Sequence, residues 1–137
     1  MSGRTHTTRF RIRKAAVAEA RRHVEALLVE WRLGHLVEPA TLVTSELATN
    51  VVLHAQGIAD YFELTVRRRD GVLILEVADS CTWEMPELRK PEPEDIGGRG
   101  LLLVDAFAER WGVRPRAGAG KTVWAHLAVR GGAGDEA

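Results

Sequence analysis

Apolar residues recur along this chain with two different periods, and the periods divide it into elements. From Lys14 to about Leu33 the positions Val17, Ala20, Val24, Leu27, Leu28 and Trp31 step by three and four, which predicts a helix that buries one stripe and is stopped by Gly34. A second helix is expected from Pro39, a residue suited to a first helical turn, through Leu42, Val43, Leu47, Val51 and Val52 to Ala55, with Gln56-Gly57 ending it. The stretches Tyr61 to Arg68 and Gly71 to Ala78 are rich in β-formers and flank Arg69-Asp70, with Asp70-Gly71 as turn signal, so they predict an antiparallel hairpin.

The remaining elements are shorter. Thr5 to Ile12, with Phe10 and Ile12 alternating, predicts an edge strand. Asp79 to Ile96 carries three of the five prolines and, after Asp79, five acidic residues, and predicts a loop of about 18 residues, a length that in a compact domain usually carries function. Gly97-Gly98-Arg99-Gly100 opens a third helix bearing Leu101 to Phe107 and ending near Arg110. Trp111 to Arg114 and Lys121 to Val129 predict two strands around a turn at Ala117 to Gly120. The order β, α, α, β, β, loop, α, β, β fits an α+β two-layer sandwich, a mostly antiparallel sheet with helices on one face. Residues 1–130 are expected to form a single domain and residues 131–137 a loose tail.

Composition narrows the function classes. The 137 residues are 45% apolar and 28% charged, with 19 Lys+Arg balancing 19 Asp+Glu, which argues against a globally basic nucleic-acid binder. The single Cys81 leaves no internal disulfide and no cysteine-based zinc site. No apolar run approaches the roughly 20 residues of a membrane span, and Met1 to Arg13 is polar and basic without an apolar signal core. The expectation is a cytoplasmic protein that contacts neither membrane nor nucleic acid.

Three places carry candidate chemistry. In the second helix Glu46, Asn50 and His54 are spaced by four, so they drift about 40° per step and form one polar stripe on a helix that is otherwise largely apolar. A carboxylate and an amide there are costly unless satisfied. A cation that keeps bound water, such as Mg²⁺ beside phosphates, would satisfy them; so would an arginine for Glu46 and backbone for Asn50. Asp79 ends an apolar strand at the mouth of the long loop, either facing a pocket or starting an Asx turn. The glycines at 97, 98 and 100 form a helix entry whose free N–H groups favour an anion, or a plain turn. Pro115 to Thr122 nearly spells a P-loop, but Pro115 replaces its first glycine, and the alternation Val123, Ala125, Leu127, Val129 beyond it reads as strand where a P-loop needs a helix.

Taken in order, Glu46-Leu-Ala-Thr-Asn50-Val-Val-Leu-His54-Ala, Asp79, Gly98-Arg99-Gly100-Leu101 and Gly120-Lys121-Thr122-Val123-Trp124 resemble the four nucleotide-binding boxes of the GHKL ATPase superfamily, over about residues 5 to 129. Within it the chain looks most like the anti-sigma-factor serine-protein kinases of the actinobacterial type. That resemblance implies a Bergerat fold binding ATP and Mg²⁺, with Asn50 holding the metal and Glu46 as general base. It implies that Asp79 accepts a hydrogen bond from the adenine amino group, aided by Thr122, and that Gly98, Gly100 and Leu101 line the phosphates, with Arg99 as a charge partner for the γ-phosphate. His54 matches a motif position and is given no chemistry. Cys81 stands where the superfamily commonly carries glycine. The function implied is a serine/threonine protein kinase acting on an anti-sigma-factor antagonist of the STAS type, with sequestration of a sigma factor and homodimer formation as further expectations. The alternative is a partner-switching module of the same fold that binds without transferring phosphate.

Overall fold

A computed structural model describes residues 4–55, 57, 59–79, 104–115 and 120–129. Strand β1 (Arg4–Arg11) leads to helix α1 (Ala15–Glu30), a single 3₁₀ turn (Gly34–Leu36) and helix α2 (Val37–Ala55). The hairpin β2 (Tyr61–Arg69) and β3 (Val72–Asp79) follows, then β4 (Arg110–Pro115) and β5 (Lys121–Ala128). The five strands form one sheet in the order β1-β2-β3-β5-β4, and every neighbouring pair is antiparallel. Both long helices lie on one face, as the alternation and the helical stripes predict.

The departures from expectation are local. Helix α1 ends at Glu30, four residues before Gly34, because Arg32 itself takes the left-handed conformation (φ 62°). Leu33 N–H then bonds Leu28 O at 2.7 Å and Arg32 N–H bonds Val29 O at 3.1 Å, the paired closure of a helix end that glycine normally provides. In the β2–β3 turn it is Asp70 (φ 48°), not Gly71, that adopts positive φ, a conformation aspartate tolerates better than most residues. Pro39 falls in the first turn of α2, where its missing N–H costs nothing. After Val104 to Phe107 the third helix stops short of Arg110, which already belongs to β4. Its glycine entry, the long loop after Asp79 and the residues from Arg130 onward lie outside the described residues.

Alternation then fixes the two faces of the sheet. Phe62, Leu64 and Val66 of β2, Leu73, Leu75 and Val77 of β3, and Val123, Ala125 and Leu127 of β5 point to the helices and are all at most 2% exposed. They meet Ala16, Ala20, Val24 and Leu28 of α1 and Val43, Leu47 and Val51 of α2 in one core. The opposite face is polar: Glu76 sits between Arg67 (3.0 Å) and Arg114 (3.1 Å), and Trp124 lies across Gly112 of β4. Burial pushes the Glu76 carboxyl up, but the hydrogen bonds and charges of the two arginines outweigh it and leave it below its ordinary value. No described helix is long and apolar enough to cross a membrane.

Candidate functional site

The site is built by connectivity. Helix α2 ends at Ala55 and β2 begins at Tyr61, so the C-terminal half of α2 stands over the end of the sheet where β2 starts. At that end Phe62 pairs with Asp79, and Asp79 pairs with Lys121, so the last residue of β3 and the first of β5 lie side by side. Helix α1 sits over β1, tied by a 2.9 Å hydrogen bond between Thr8 and His23, whereas α2 lies over β3 and reaches β5. Thr44, Ala48 and Val52 on one flank of α2 are buried. Glu46, Asn50 and the 54% exposed Leu53 occupy the opposite flank, away from α1 and on the side of β5.

Asn50 is buried and Glu46 is half-buried. Among the described residues neither side chain is engaged by a hydrogen bond or an ion pair. Among the described residues neither of the two protein partners open to them from sequence alone, an arginine for Glu46 and backbone for Asn50, is made. With no partner among the described residues, the Asn50 amide and the Glu46 carboxylate one turn away stand together on one flank of α2. A side-chain amide oxygen, hard and neutral, suits Mg²⁺, which takes few protein oxygens and keeps water. The residues present therefore fit a metal–phosphate group on this flank. His54, half-buried, extends the same stripe toward the sheet.

Asp79 and Lys121 form a buried ion pair, Nζ to Oδ2 3.1 Å, with side chains only 1% and 3% exposed. Thr122 is buried too, but its register partners are Ala78 and Arg114, so it points to the sheet face opposite the helices. Asp79 therefore stands on the helix-facing side of the sheet end, beside Lys121, and Thr122 faces away from it. Lys121 takes that place. The G-K-T triplet was visible, but which of two consecutive residues faces the helices depends on a cross-strand register that the sequence does not print. Gly98, Arg99, Gly100 and Leu101 lie outside the described residues.

A family model described as histidine kinase-like ATPase domain matches residues 10–127 of the chain. Among curated proteins there is no match.

Proposed function

The chain belongs to the histidine kinase-like ATPase family, and from that premise we propose that it is an ATP- and Mg²⁺-dependent regulatory protein kinase. Its acceptor is a serine or threonine on a partner of the anti-sigma-factor-antagonist (STAS) type, and sequestration of a sigma factor is the complementary activity. The observation that carries the reading is the Glu46–Asn50 pair, unengaged among the described residues, on a largely buried helix set over the sheet end that holds a buried carboxylate.

Bound Mg²⁺ would neutralise phosphate charge, and phosphoryl transfer otherwise asks the protein mainly for positioning. Asn50 is the residue to hold the metal. Glu46, less buried and one turn earlier, is placed to orient an incoming hydroxyl and take its proton on a carboxylate oxygen. Asp79 is an acceptor for the amino group of the base. Close contact of the helix flank with the core at Val43, Leu47 and Val51 keeps these groups fixed relative to the sheet.

The test is a calorimetric titration with Mg·ATP followed by transfer of labelled phosphate to a STAS-type partner. Glu46→Ala should keep ATP binding and lose transfer, whereas Asn50→Ala should weaken Mg·ATP binding itself. Undiminished transfer by the Glu46 variant removes its role as base. The run Asp79-Ser80-Cys81-Thr82-Trp83, without the glycines usual there, favours the second reading, a nucleotide-binding switch without transfer. Binding without labelled product would select it.

A further inference from the structure

Along the helix-facing side of the β3–β5 ladder the cross-strand pairs run Leu73–Leu127, Leu75–Ala125, Val77–Val123 and then Asp79–Lys121. Three apolar rungs end in a charged one, and that rung is as deeply buried as the others. Burying two charges is costly, and an apolar pair of similar volume would hold the strands at least as well, so strand cohesion does not account for the pair. Lysine is a poor choice for such a place, since its compact ammonium is strongly hydrated. What a buried ammonium does supply is charge compensation for the carboxylate beside it. The bond from Nζ to Oδ2, at 3.1 Å, fixes the direction of that carboxylate.

We propose that Lys121 is the positioning residue for base recognition: it holds the buried Asp79 carboxylate oriented to accept a hydrogen bond from the exocyclic amino group of a bound purine. The inference rests on the nucleotide-binding reading above and deepens it. Selectivity for a 6-aminopurine then depends on Lys121 as much as on Asp79, although Lys121 need not touch the nucleotide.

The experiment compares ATP with purine riboside triphosphate, which differs by lacking the amino group, in calorimetric titrations of the full chain with Mg²⁺. The native protein should prefer ATP by about 10- to 100-fold, the span expected of one hydrogen bond to a charged acceptor. Lys121→Arg should keep that preference. Lys121→Met and Asp79→Asn should each bring the ratio of the two affinities close to one, and the double variant should be no less selective than either single one. A structural role alone would weaken both ligands together and leave the ratio unchanged, which would overturn the inference. Tighter ATP binding by Lys121→Met would overturn it as well, since the ammonium would then be a competitor of the base. Where circular dichroism shows that Lys121→Met is not folded, Lys121→Gln, which keeps a donor and loses the charge, decides by the same ratio. Native protein that binds neither triphosphate refutes the function reading and this inference with it. Native binding with a ratio that ignores Lys121 refutes the inference alone.

Discussion

Removing one member of the Asp79–Lys121 pair is the most informative perturbation of stability. The side chains are 1% and 3% exposed and 3.1 Å apart, so water does not screen the interaction as it does at a surface, where such pairs contribute about 0–1 kcal/mol. Lys121→Met takes this counter-charge from a buried carboxylate, and Asp79→Leu takes this carboxylate from a buried ammonium. Each should cost about 3–5 kcal/mol, the range for breaking a buried pair. For 137 residues that lowers Tm by about 10–17 °C. The double variant Asp79→Leu/Lys121→Met removes both charges and should lie within about 1 kcal/mol of the native protein, because the desolvation cost leaves with the attraction. Urea unfolding followed by tryptophan fluorescence gives all four corners of the cycle, with the slope unchanged if the fold is intact. A single variant losing less than about 0.5 kcal/mol would show that the pair is solvated and refute the reasoning. So would a double variant that costs the sum of the two.

Other expectations follow from single contacts. A methyl group built on Gly112 would lie 2.7 Å from Cζ2 of Trp124, so Gly112→Ala should destabilise by about 1–3 kcal/mol in denaturant melts, and Trp124→Leu should remove most of that penalty. Thr44 is fully buried and its hydroxyl has no hydrogen-bond partner among the described residues, so Thr44→Val should raise stability by about 1 kcal/mol. Glu76 has a folded-state carboxyl pKa below its unfolded value, so its pairing stabilises fully above the unfolded pKa and is lost as pH falls through the folded one. Because Arg67 and Arg114 are 32% and 51% exposed, Glu76→Gln should cost only about 0.5–1 kcal/mol at neutral pH, and the difference from native protein should vanish in acid.

The legible part of this fold was the part governed by local periodicity. The stripe Val43, Leu47, Val51 announces α2 and the alternation Val123, Ala125, Leu127 announces β5, because a helix or strand with one buried face must repeat with its own period. The same alternation separated β5 from the P-loop that Gly120-Lys121-Thr122 imitates. The stop of α1 was misplaced because an arginine, not the nearby glycine, took the left-handed position; packing of Leu33 at 3% exposure against the core sets that end. The Glu46–Asn50 stripe was readable, and the collection of Asn50 with Asp79 follows only from the resemblance. Lys121 was passed over for Thr122 because a one-residue difference in register exchanges the faces of a strand, and only pairing with β3 settles it.

The central claim is that the flank of α2 bearing Glu46 and Asn50 and the Asp79–Lys121 end of the sheet receive one nucleotide. Titration of isotope-labelled protein with Mg·ATP, followed through backbone amide resonances, tests it directly. The account predicts saturable shifts that are largest around Glu46 to His54, at Asp79 and at Gly120 to Thr122. Shifts confined to the open groove between α1 and α2, at Arg21, Arg22, Glu25 and Thr41, or no shifts at millimolar ATP, would contradict it.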